Sequence, residues 1–199
     1  MLSINKIEKA PGIWVYNNAF DSQDFCSQVE EQSSMEWPYL EWHSSQTGDG
    51  ENTATSEYRS SLEMSLNVLY GSDVNESLQE LKTLFIENIL KPVDQCVWDY
   101  RNYFDLGLNR DSGYVLLKYL DGGEYHIHHD HGPENQRVIS LVACLGEDFE
   151  GGELEFPHYN VKLKLEKDSV VIFPSNFPYS HIAHPVTSGV KYSLVTWFI

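Results

Sequence analysis

The chain has 199 residues, 41% of them apolar and 13% aromatic, which supplies enough hydrophobic surface for one folded core and too much for a disordered segment. Thirteen basic residues stand against thirty acidic ones, and the formal charge of −17 repels phosphate backbones, so no nucleic-acid partner is expected. Cys26, Cys96 and Cys144 form no C-x-x-C pair, and neither a signal-type leader nor eighteen apolar residues in a row is visible; the expectation is a single cytoplasmic domain over residues 1–199 with no membrane association.

In chain order, GIWVYNNAF reads as a strand. DSQDFCSQVEEQS reads as a helix, with Asp21 or Ser22 as its N-cap and Phe25, Cys26 and Val29 on one stripe. Residues 43–57 are polar and without periodicity, so they form a long loop, a candidate lid over a site or a plain surface segment. From Ser72 onward, Val74, Leu78, Leu81, Phe85 and Ile89 recur at helical spacing, and Pro92 is expected to interrupt before VDQCVWDYRNYF resumes, giving two helical pieces. Beyond Gly107, GYVLLKYL, QRVISLVACL, GELEF, VKLKL, DSVVIFP and VKYSLVTWFI are short β-rich runs separated by turn residues. Residues 1–106 are therefore expected to be a helical support. Residues 107–199 form a mainly β core of sandwich or jelly-roll type, buttressed by those helices.

The stretch YLDGGEYHIHHDHGP, residues 119–133, concentrates histidines around Asp130. In a strand, residues two apart share a face and lie about 6.6 Å apart, so His126, His128 and Asp130 would share one side while His129 and His131 point the other way. Spacing alone leaves two ligand pairs open, His126 with His128 or His128 with Asp130. A third ligand would come from His158, His181 or His184. His184 precedes Pro185, which pushes it to extended geometry but does not separate it from His181. A histidine-rich surface loop with no metal is the plainer alternative.

Four elements resemble, in the right order, the prolyl-hydroxylase-like branch of the Fe(II)/2-oxoglutarate dependent dioxygenases. YLDGGEYHIHHD matches through Tyr119, Gly122, Tyr125, His128 and Asp130; RVISLVACL through Arg137 and Ser140; GGELEF as it stands; and HIAHPVTSGVKYSLVTW through His181, Pro185, Val186, Gly189, Lys191 and Trp197. The resemblance covers residues 114–199. It implies a double-stranded β-helix of the cupin-like kind, and an Fe(II) ion held by His128, Asp130 and His181 with three coordination positions open. It also implies 2-oxoglutarate and O2 as cosubstrates, with room for ascorbate, and hydroxylation of a peptide side chain, prolyl among the options, or of a small molecule, with release of succinate and CO2.

The far carboxylate of 2-oxoglutarate needs a buried cation, which the resemblance assigns to Lys191. In a strand, Ser193 and Trp197 would share its face, the first as a hydrogen-bond donor and the second as a wall. Tyr119 resembles a cosubstrate-holding tyrosine, and Arg137 is a candidate for the pocket entrance. Cys144 departs from the pattern, standing where relatives often place a second cosubstrate tyrosine. His126 is a candidate pocket residue. Two other readings compete: a non-catalytic cupin-like metal-binding module, and a cupin-type metalloenzyme that does not use 2-oxoglutarate. The substrate and the oligomeric state are not legible.

Overall fold

The computed structural model describes residues 4–36, 39–46, 58–70 and 74–199. A hairpin opens the chain: β1 (Asn5–Ala10) and β2 (Ile13–Asn17) turn at Gly12, whose φ of +74° lies in the left-handed region that side chains resist. Helix α1 (Phe25–Ser33) follows, then short strands β3 (His43–Ser44) and β4 (Leu62–Ser65). A continuous helical rod comes next, α2 (Gln79–Leu84) and α3 (Lys91–Tyr103) joined through a π-helical turn at Phe85–Leu90. The remaining strands are β5 (Val115–Tyr119), β6 (Tyr125–His128), β7 (Ile139–Cys144), β8 (Phe149–Gly151), β9 (Leu154–Phe156), β10 (Val161–Leu163), β11 (Ser169–Pro174), β12 (His181–Ala183), β13 (Val186–Gly189) and β14 (Lys191–Phe198).

These strands form an eight-stranded sheet, ordered β1-β2-β11-β7-β14-β5-β4-β3, a four-stranded sheet, ordered β10-β9-β12-β6, and the pair β13-β8. Neighbours run antiparallel throughout. The result is the expected jelly roll, mainly β and buttressed by helices. Strands from both ends of the chain share its large sheet.

The runs of consecutive apolar residues have a physical reason. Val170 and Ile172 of β11, Leu116 of β5 and Leu194 of β14 join Leu81, Phe85, Ile89, Val93 and Tyr100 of the rod in one core. Their alternate neighbours Val171 and Phe173 pack with Leu154 and Phe156 of the small sheet, and Leu117 and Val195 pack with Ala183. The large sheet is thus covered on both faces, and its central strands read as continuous hydrophobic runs instead of alternating ones. Among the described residues no helix is long and apolar enough to cross a membrane.

Two local expectations are corrected. Neither Asp21 nor Ser22 caps α1: the helix begins at Phe25 behind Asp24, which makes no side-chain cap bond. The fully buried Ser22 hydroxyl is instead held between Asp168 Oδ1 at 2.6 Å and the Leu145 carbonyl at 3.2 Å, and these tertiary partners win over the local cap. Nor does Pro92 divide the rod. Proline has no N–H, so the Asn88 carbonyl loses its usual donor; the π-helical turn falls there, and Asn88 accepts the Asp21 backbone N–H at 3.1 Å. Of the predicted loop and candidate lid 43–57, residues 47–57 lie outside the described residues, and His43–Ser44 form the short strand β3 where a loop was expected.

Candidate functional site

Antiparallel register, not sequence proximity, assembles the site. In the small sheet β12 pairs with β6 so that His181 stands opposite His128, with ring centroids 4.2 Å apart. The Nδ1 of His128 lies 2.8 Å from the His126 carbonyl, and that of His181 lies 3.1 Å from the Tyr179 carbonyl. A carbonyl only accepts, so each Nδ1 donates, and each Nε2 keeps its lone pair for the interior.

Asp130 arrives by a route that strand alternation does not describe. Strand β6 ends at His128, and Asp130 is set by its backbone N–H donating to the Ser175 carbonyl at 3.0 Å. In the large sheet Trp197 of β14 stands opposite Ser140 of β7, and both side chains reach the carboxylate. The Ser140 hydroxyl donates to Asp130 Oδ2 at 2.6 Å. Asp130 Oδ1 lies 3.7 Å from His128 Nε2, its Oδ2 lies 3.8 Å from His181 Nε2, and the three ligand atoms all fall within 4.8 Å of one another.

Burial alone would raise the Asp130 pKa. The adjacent His181 and His128, together with the Ser140 and Trp197 donors, outweigh it and hold the carboxyl below its ordinary range. His128 is pushed down to about 3 by burial and by His181. Two imidazoles whose Nδ1 groups are engaged by carbonyls and whose Nε2 atoms face inward, with one carboxylate, are a donor set that fits a ferrous ion with positions left over.

The other histidines are dispersed. The His126 ring, expected on the ligand face, turns instead to Tyr58 at a 5.1 Å centroid distance, with its Nε2 3.4 Å from Glu124. His129 and His131, expected to point away, are exposed and line the same cavity as the ligand cluster, because alternation stops where β6 stops. His184 pairs with Glu155 at 2.5 Å, and His158 sits in the short turn Pro157–Tyr159.

A cavity of about 320 Å³ lies between the sheets, lined by the ligand cluster and by Tyr119, Lys191, Ser193 and Trp197. Lys191 of β14 stands opposite Tyr119 of β5, with Nζ 5.4 Å from its ring. Its Nζ donates to the Gly152 carbonyl at 2.6 Å, and among the described residues it has no ion pair. Burial pulls its pKa below the usual lysine range. The Ser193 hydroxyl, on the same strand face, is buried and makes no hydrogen bond among the described residues. A buried ammonium with no ion pair among the described residues and an idle hydroxyl each cost free energy, and a ligand carboxylate between them would satisfy both. Gly152, at φ +66°, explains the GGELEF element: a Cβ there would meet Lys191 Cδ at 2.9 Å. Cys144 is buried beside this end and its thiol donates to the Gly146 carbonyl at 3.3 Å.

Sequence reasoning missed Arg59 altogether. It bridges to Tyr125 through the backbone, its guanidinium carbon lies 4.9 Å from that ring, and it hydrogen-bonds the Tyr119 side chain together with Ser61. Tyr125 in turn stacks on His128 at 3.5 Å. Nothing near Arg59 in sequence marks it, since its neighbours are those of an ordinary polar loop. Ser175, whose hydroxyl lies 2.8 Å from that of Ser140, was also unmarked. Arg137 does line the cavity and lies 3.7 Å over the Trp197 ring.

Comparison with known proteins gives concordant findings. Residues 114–199 match the family model of the 2OG-Fe(II) oxygenase superfamily. A protein of Acanthamoeba polyphaga mimivirus bearing the name of a prolyl 4-hydroxylase is 28% identical over 152 residues; the match covers 66% of this chain, which spans 62% of that relative's length. Among solved structures, a Trichoplax adhaerens prolyl hydroxylase in complex with a hypoxia inducible factor oxygen degradation domain peptide fragment is similar with a TM-score of 0.69, at 18% identity, over 94% of this chain and 83% of that one. A Burkholderia pseudomallei oxidoreductase of the 2OG-Fe(II) oxygenase family is similar with a TM-score of 0.62, at 14% identity, over 96% and 86%. At these identities the structures speak to the fold.

Proposed function

We propose that this chain is an Fe(II)- and 2-oxoglutarate-dependent dioxygenase that hydroxylates a peptide side chain, prolyl among the options; the match of residues 114–199 to the family model of the 2OG-Fe(II) oxygenase superfamily supports the reading. Residues 1–199 act in this reading as a single cytoplasmic domain. The observation that carries it is one cavity holding both the His128–Asp130–His181 cluster and a buried ammonium that has no ion pair among the described residues, Lys191. A metal-binding module without chemistry has no use for that lysine, and a closed structural zinc site calls for four protein ligands where three gather among the described residues.

In this reading His128, Asp130 and His181 hold the iron from one side. Lys191 pairs with the far carboxylate of 2-oxoglutarate, Ser193 adds a hydrogen bond and Tyr119 closes that end. Ser140 and Trp197 keep the Asp130 carboxylate ionised and aimed, and Trp197 also walls the pocket. Iron and 2-oxoglutarate, when bound, supply the oxidising chemistry that uses O2, releases succinate and CO2, and hydroxylates a substrate carbon. The peptide held by the Trichoplax adhaerens structure supports a peptide substrate here.

Anaerobic reconstitution with Fe(II) and 2-oxoglutarate tests the reading through the weak visible charge-transfer band of the chelate, followed by succinate release on aeration. Asp130→Ala should abolish that release and weaken iron binding, since the only anionic ligand is lost. Normal turnover by this variant with stoichiometric iron would end the proposal.

A further inference from the structure

The charges around the cavity do not balance once the proposed cofactors are counted. A ferrous ion and Lys191 carry three positive charges; Asp130 and dianionic 2-oxoglutarate carry three negative ones. Two further guanidiniums line the same cavity: Arg59, which pairs with Glu63 at 3.5 Å, and Arg137, which has no ion pair among the described residues. In a chain of net charge −17 this local excess of positive charge is not what composition alone would place there.

Both are held one aromatic ring away from a proposed iron ligand. Arg59 lies over Tyr125, which stacks on His128; Arg137 lies over Trp197, which bonds Asp130. The Arg59 side chain is only 12% exposed. Its Nη1 reaches Glu63 at 3.5 Å and the Gln46 carbonyl at 3.4 Å and its guanidinium hydrogen-bonds Tyr119, while its buried Nε has no partner among the described residues. That Nε edge is one a carboxylate engages in a bidentate pair. The Arg137 guanidinium forms neither an ion pair nor a hydrogen bond among the described residues. Its pKa is lowered, first by burial and in part by Arg59, so the two charges sense each other.

We propose that the substrate presents a carboxylate to Arg59 and Arg137, which makes these two arginines the determinants of an anionic substrate class. The inference rests on the oxygenase reading and narrows it. The carboxylate belongs either to an acidic side chain near the hydroxylated residue or to a free α-carboxyl group, and the recognising chemistry is the same for both.

The test uses the full chain loaded anaerobically with Fe(II) and 2-oxoglutarate. Binding is measured by fluorescence anisotropy for degenerate peptides in matched pairs, Asp or Glu against Asn or Gln beside a central proline, with free or amidated C-termini, and by competition with free amino acids. The acidic member, or the free-carboxyl member, should bind roughly tenfold tighter or more, the size of one charge-assisted hydrogen bond, and the advantage should shrink with added salt. Arg59→Gln and Arg137→Gln should each pull the acid-to-amide ratio toward one, and Arg59→Lys should restore part of it. Because the readout is a ratio within one protein sample, a partly unfolded variant does not mimic the effect. A side-chain preference that survives C-terminal amidation identifies an internal acidic residue; one lost on amidation identifies the α-carboxylate. Equal binding of acid and amide by the wild type, or a ratio unchanged in both glutamine variants, overturns the inference. The visible charge-transfer band on anaerobic loading is the separate check: its absence sinks the oxygenase reading itself.

Discussion

Lys191 is buried to 5% exposure with a carbonyl as its hydrogen-bond partner, and burial lowers its pKa from the ordinary lysine value. A bound carboxylate favours the charged form. The sign follows: as pH rises through the lowered pKa the ammonium is lost, and the KM for 2-oxoglutarate should climb at pH values below those at which an ordinary lysine titrates. Lys191→Arg should flatten that profile, since guanidinium stays protonated. Lys191→Ala should raise KM by about tenfold or more while iron binding stays near normal. A wild-type KM indifferent to pH over that range would argue against the assignment. His129→Ala and His131→Ala, which alter the exposed part of the cavity lining, should change turnover far less than Asp130→Ala, as initial rates will tell.

At the scale of elements, the rod α2–α3 is the buttress that lets the large sheet bury both faces. Phe85, fully buried, stacks on Phe25 of α1 at 5.5 Å and meets Tyr114 edge-on at 6.0 Å, so it ties two helices to the segment leading into β5. Phe85→Ala should cost about 3 to 5 kcal/mol in urea unfolding, the range for emptying an aromatic site in a packed core; a cost below about 1 kcal/mol would mean the rod is not a structural support. Helical spacing from Val74 to Ile89 was readable because apolar positions recur every three or four residues. The passage through Pro92 was not, because the acceptor left free by proline is satisfied by Asp21, more than sixty residues away.

At the scale of the whole molecule, a net charge of −17 repels itself in the compact state. Raising ionic strength from about 0.01 M to about 0.15 M shortens the screening length severalfold, so Tm should rise with salt in the metal-free protein. A fall would mean that attractive pairs such as Lys118 with Glu30, 2.7 Å apart, dominate instead. Fe(II) or Mn(II) binding only the folded chain should add about 2.7 kcal/mol at a hundred times its Kd. Chelator should remove that gain from the wild type, and Asp130→Ala should show little of it to remove.

Composition and period by themselves determined a mainly β core accompanied by helices, because which face of an element is buried is written into the spacing of its own residues; that β1 to β4, from the stretch expected to be helical support, complete the large sheet was not legible there. Motif order also brought His128, Asp130, His181 and Lys191 to notice before any coordinates. Only the tertiary structure decided that His126 turns away, that His129 and His131 face the cavity, that Asp130 leans on Ser140 and Trp197, and that Arg59 reaches Tyr119 and Tyr125 from a polar loop. Those facts depend on where one strand ends and which residues of distant strands stand opposite each other. Register of that kind is set by the packing of two sheets and a rod together, and no window of the sequence contains it.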